Sequence, residues 1–244
     1  MPAELRTERR GATLVLTLSA PATRNRLNDE LVASAIEALS VAESDPGVHC
    51  IVLRGDGGHF CAGSEAATDA VEASAAQLVQ FVEALDAWPK PLVAAVEGRV
   101  ADAGLALVLA CDLRVVAEDA RFVAPGAGAA TVGDAMAEVL FARALPRPLA
   151  LQWQWLDDAD FVRQWQACGG IHRHCAPGSA FTEACAIAER LERMPASALA
   201  SAKELVDEGS GPGLCGRAFS SVCGDFLKHQ SFRYAPRQAT RGVR

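Results

Sequence analysis

The sequence predicts an α/β fold, on three observations. The runs ATLVLTLS (12–19), CIVLRG (50–55) and PLVAAVEG (91–98) have the length and β-branched character of strands. Longer stretches between them repeat apolar residues at helical spacing. Glycine-rich turns, GDGGHFCAGSEA and VADAG, join the two kinds. Strand and helix alternating through such turns is the α/β order.

Taken along the chain, the alternation in ATLVLTLS gives the first strand, and APATRNRLN after it is a turn marked by Pro21 and Asn25. Asn28 is placed to cap a helix over DELVASAIEALSVAESD, where Leu31, Ala35, Ile36 and Leu39 share a face. CIVLRG is apolar enough to be buried on both sides. A helix from about Ala73 to Trp88 stops at Pro89, and PLVAAVEG is the next buried strand. LRVVAED and ARFVAP follow the apolar LALVLA helix as two more strands. From Ala135 onward the pattern is mostly helical, with breaks at PRP (146–148), CGG (168–170), APG (176–178) and GSGPG (209–213). Trp153, Trp155 and Trp165 suit a core or a subunit interface, and the basic end RYAPRQATRGVR is expected to be partly disordered.

The totals narrow the function. With 244 residues, half of them apolar, the chain can bury a sizeable core, and it reads as one core (1–190) with a helical region (191–244). A net charge of -7 speaks against nucleic acid as a partner, because phosphate binding needs a concentrated basic face. Eight cysteines without a CxxC pair, several inside apolar runs, suit a reducing cytosol. MPAELRTERR has no apolar run behind it, and no stretch approaches the roughly 20 apolar residues that span a bilayer. A soluble cytoplasmic protein, without membrane or nucleic-acid partners, is the expectation.

Two turns carry the chemistry. GGHFCAGSEA and VADAGLALVLA each lead a buried strand through small residues into a helical segment, and so present backbone N–H groups at a helix start. Two such groups aimed at one point stabilise negative charge on a carbonyl oxygen. The same spacing also describes ordinary tight turns.

HFCAGSE (59–65), KPLVAAVEG (90–98), GLALVLACDLRVVAEDARF (104–122) with the AP that follows, and RNRLN (24–28) resemble the crotonase, or enoyl-CoA hydratase/isomerase, superfamily. The likeness runs from about Thr13 to Ala144 and continues weakly in AKEL (202–205). It implies a core of repeated ββα turns, a helical C-terminal part, a homotrimer or a dimer of trimers, and an acyl-CoA thioester as ligand, with coenzyme A part of the substrate and no separate cofactor. By the same resemblance Ser64 and Ala103 supply the oxyanion N–H groups. Arg24, Arg26, Ala62, Ser64, Glu65, Ala66, Ala103, Pro125 and Gly126 would line the acyl-CoA site.

The departures from that pattern bear on the reaction. The two glutamates usual in hydratases fall on Ala106 and Gly126, which carry no proton, so ordinary hydration is not expected. Asp102 stands where the family has glycine, and a carboxylate so near an oxyanion is unfavourable unless it turns away. Asp134 resembles an aspartate that some dienoyl-CoA isomerases and a chlorobenzoyl-CoA dehalogenase use, as acid, base or nucleophile. It is equally placed to be a helix N-cap. The alternative is a non-catalytic acyl-CoA-binding or assembly subunit. IHRHC (171–175) has the residues for a metal site but no second ligand cluster, so none is expected.

Overall fold

A computed structural model describes residues 3–65, 71–124, 131–156 and 160–209. The first half alternates β1 (Glu4–Arg10), β2 (Thr13–Ser19), α1 (Asp29–Ser44), β3 (Cys50–Gly55), α2 (Val71–Asp86), β4 (Leu92–Val96), β5 (Arg99–Val100) and α3 (Ala103–Ala110). Then come β6 (Leu113–Ala117), β7 (Arg121–Phe122), α4 (Val132–Ala144), α5 (Arg147–Leu156), α6 (Phe161–Ala167), β8 (Arg173–Cys175), α7 (Ala180–Leu191) and α8 (Ala196–Gly209). The main sheet has the order β1-β2-β3-β4-β6-β8, parallel except for the β1–β2 pair. A second sheet pairs β5 with β7, and Cys61 joins it by a bridge to Val100.

The inner strands β2, β3, β4 and β6 are mainly apolar because this part of the sheet is covered on both faces. Leu16, Leu18, Ile51, Leu53, Leu92, Ala94, Val96 and Val116 join the large core with α1, α2, α3 and α4. Their neighbours Val15, Val52, Val93, Ala95, Val115 and Ala117 face the opposite way, onto Ala180, Ala184 and Ala188 of α7. Period-two alternation of the strand side chains makes this division. All eight residues of α3 are buried, so its uniform apolarity has the same cause.

Several expectations shift in detail. β1 lies on a stretch read only as a charged start; its side chains are mostly exposed, so no apolar alternation marks it, and it is held by its ladder with β2. β8 falls on IHRHC, where three residues form the last strand of the sheet. Here the His172 Nδ1 accepts the Arg114 N–H at 3.1 Å, and burial followed by the Arg114 charge lowers the His172 pKa. Among the described residues no group of three or more His, Cys, Asp or Glu could hold a metal ion. The tryptophans divide: Trp153 stacks on Phe161 at 3.8 Å, Trp165 is buried, and Trp155 is exposed. Among the described residues no helix is long and apolar enough to cross a membrane.

Candidate active site

The functional turns gather where the parallel strands end, a place that parallel sheets offer to ligands. Asn25, fully buried with φ 58°, draws the first turn in. Its side chain accepts the Ala20 N–H and donates to the Asp56 and His59 carbonyls at 2.8 and 2.7 Å. The turn then runs beside the 61–65 loop. Ala62 N–H donates to the Arg24 carbonyl, Leu27 N–H to Gly63 and Glu65 N–H to Leu27, all at 2.8–2.9 Å. Arg24, Arg26 and Glu65 are exposed beside Ala62 and Ser64, with the Arg26 guanidinium 3.4 Å from the Ser64 carbonyl.

α3 is brought to the same loop by close packing. A Cβ on Gly104 would lie 2.3 Å from the Cys61 carbonyl oxygen, so only glycine lets the helix approach. Cys61 N–H donates to the Arg99 carbonyl, and the Cys61 carbonyl accepts the Ala101 N–H. Ala103 is the first residue of α3, so its N–H has no partner inside the helix. The 61–65 loop and the start of α3 therefore lie against each other at one place.

Asp102 is also at that place. Its Oδ2 accepts the Ser64 N–H at 2.7 Å and the Ser64 hydroxyl at 2.9 Å. Its Oδ1 accepts the Thr131 hydroxyl in a short contact. The carboxylate does not turn away from Ser64, because three donors hold it there. Glycines on either side make the room. A Cβ on Gly63 would come 2.5 Å from Asp102 Oδ2, and one on Gly133 2.1 Å from Oδ1 and 2.4 Å from the Ala103 nitrogen.

The Ser64 and Thr131 donors converge on the Asp102 carboxylate, and the place they define is the seat of that carboxylate. The profile of the enoyl-CoA hydratase/isomerase family matches residues 8–214. The chain belongs to that family. A putative enoyl-CoA hydratase of Thermus thermophilus is 33% identical over 216 residues, 84% of each chain. A probable enoyl-CoA hydratase of Mycobacterium tuberculosis is 43% identical over 115 residues, a match that spans about half of each chain, 47%. Among solved structures, an enoyl-CoA hydratase from Polaromonas sp. JS666 aligns with a TM-score of 0.75 and 33% identity over 93% of both chains. The enoyl-CoA hydratase/isomerase fold is thus that of this chain.

Ala106 is buried in α3 and offers only a methyl group. The Cys61 thiol is pushed up to about 12 by burial, so it is not a thiolate nucleophile at neutral pH. Asp134 lies in the first turn of α4, half-buried, and it is not the N-cap. That part belongs to Thr131, whose hydroxyl accepts the Asp134 N–H at 3.0 Å. One turn along, Glu138 is a carboxylate that the sequence reading passed over; its i, i+4 spacing from Asp134 was the available signal. Burial, then the Asp134 charge, raises its pKa. Ala66, Pro125 and Gly126 lie outside the described residues.

Proposed function

We propose that the chain binds an acyl-CoA thioester with its carbonyl oxygen directed at the Ser64 and Ala103 N–H groups, and acts on it by a reaction other than ordinary hydration. The observation that carries this is the convergence of Ser64 donors on a single carboxylate oxygen beside the start of α3. The donors that hold this carboxylate are of the kind that stabilise the negative oxygen of a thioester enolate. Arg24 and Arg26, exposed on the adjoining turn, supply positive charge for the phosphates of coenzyme A. The names of the relatives, all hydratases, support the thioester class.

The reaction is assigned to isomerase-like or related acyl-CoA chemistry because Ala106 and Gly126 leave no glutamate pair, while the carboxylate of Asp134 stands on the helix that meets the seat. A homotrimer or dimer of trimers in the cytoplasm completes the proposal. The exposed Trp155 and Leu156 of α5 and Leu205 of α8 offer apolar surface for it.

A second reading, a non-catalytic acyl-CoA-binding subunit, draws on the Asp102 carboxylate, which already takes the Ser64 N–H. An oxyanion about 4 Å from that carboxylate meets roughly 4 kcal/mol of repulsion in partly buried surroundings.

A turnover screen against enoyl-, dienoyl-, 3-hydroxyacyl- and aryl-CoA thioesters separates the two. The expected result is conversion of at least one of the others, with crotonyl-CoA hydrated slowly or not at all. Rapid crotonyl-CoA hydration would overturn the assignment, and silence across the panel with clear binding would establish the second reading.

A further inference from the structure

Asp102 does more than crowd the seat. Its two oxygens take three donors from two different segments: the Ser64 N–H and hydroxyl on the 61–65 loop, and the Thr131 hydroxyl at the start of α4. The room it fills is defined by two residues without side chains. A Cβ at Gly63 or at Gly133 would overlap the carboxylate from opposite sides. The backbone of Asp102 (φ 50°, ψ -126°) lies in a region that L residues rarely enter. Hydrogen bonds and the room left by the two glycines agree on one position for the carboxylate, on the Ser64 N–H that the thioester oxygen proposed above would use.

From this we infer that Asp102 is an internal competitor for the thioester oxygen, a gate that the acyl group must displace before the carbonyl is polarised. The inference rests on the acyl-CoA reading above and deepens it. A thioester oxygen is neutral and accepts hydrogen bonds more weakly than a carboxylate, so it loses the contest for the Ser64 N–H while Asp102 stays inward. Affinity then comes from the coenzyme A portion and the acyl chain. The carbonyl contributes little, and polarisation waits on a movement of one side chain. Replacing Asp102 by glycine removes the competitor and leaves the donors in place.

The test compares two ligands that differ only at the carbonyl. Butyryl-CoA and its thioether counterpart S-butyl-CoA are titrated calorimetrically into the full chain, the Asp102→Gly variant and the near-isosteric Asp102→Asn variant. In the unaltered protein the two ligands should bind with dissociation constants within about twofold of each other. In Asp102→Gly the thioester should gain about tenfold or more over the thioether, and Asp102→Asn should fall between. The carbonyl stretch of bound butyryl-CoA, read by isotope-edited infrared difference spectra, should shift to lower wavenumber in Asp102→Gly only. Binding of both ligands with a tenfold thioester preference already present in the unaltered protein, or no gain in either variant, overturns the gate and leaves the acyl-CoA reading standing. No binding of either ligand to any of the three proteins overturns both.

Discussion

The backbone at Asp102 is held in a conformation that costs about 1–3 kcal/mol for a residue with a side chain, and the three hydrogen bonds to its carboxylate offset that cost. Two substitutions separate these opposing effects. Asp102→Ala loses the hydrogen bonds and keeps the strained backbone, whereas Asp102→Gly loses the same bonds and relieves the strain. The glycine variant should therefore be the more stable of the two by about 1 kcal/mol, read as the difference between their midpoints in urea. Equal midpoints would mean that the backbone is unstrained and that the side chain alone sets its position. The sequence marked Asp102 as unfavourable beside an oxyanion unless it turned away, and left its position open. That reading weighed only repulsion from a bound oxyanion. The Thr131 hydroxyl, 29 residues away along the chain, was invisible to it, and so was the room left by Gly133.

At the scale of one element, α4 shows how a site helix is fixed and charged. Thr131 caps it and also reaches Asp102, so Thr131→Ala should cost about 1 kcal/mol from the cap alone and more from the lost second bond, while Thr131→Ser keeps both. Because the cap is Thr131, Asp134→Asn should leave the melting temperature almost unchanged; if Asp134 carries the chemistry, turnover of any substrate found in the screen should vanish. Glu138 adds a pH signature. Its pKa is raised in the folded protein, so its ionisation opposes folding: stability is fully present below the ordinary glutamate range and declines as pH rises through the raised value. Glu138→Gln should accordingly raise the melting temperature at pH 7, with the gain gone by about pH 4. An equal gain at both values would point to packing in place of charge. The capping pattern illustrates what was legible. Asn28 caps α1 as its sequence suggests, accepting the Leu31 N–H at 2.9 Å. Gly-Asp before AMAE also read as a cap, but the structure gives that part to Thr131, three residues earlier.

For the whole molecule, the alternating pattern of buried strands and helices sufficed to give the α/β class, because a sheet covered on both faces writes itself as continuous apolar runs. The edges of the sheet did not register. β1 and β8 have polar sequences and are held mainly by ladder bonds, which leave no mark on composition. One contact of α8 with this body was equally hidden, since it joins residues far apart in sequence. Lys203 of α8 lies 2.9 Å from Asp112 Oδ1, and Asp112 Oδ2 accepts the Leu92 N–H at the start of β4. Burial raises the Asp112 pKa, and the Lys203 charge works against that rise. Lys203→Met should leave a largely buried carboxylate with one partner fewer and cost about 1–2 kcal/mol, below the range for fully buried pairs because both side chains retain some exposure. The sign with pH follows. Without the lysine the ionised form of Asp112 is disfavoured further in the folded chain, so the deficit should be largest at neutral pH and shrink as acid protonates the group. Adding Asp112→Asn to Lys203→Met should recover much of the loss at pH 7, because the amide still accepts the Leu92 N–H and carries no charge. A deficit independent of pH, unrelieved in the double variant, would show that α8 is held by packing, with the ion pair incidental to it.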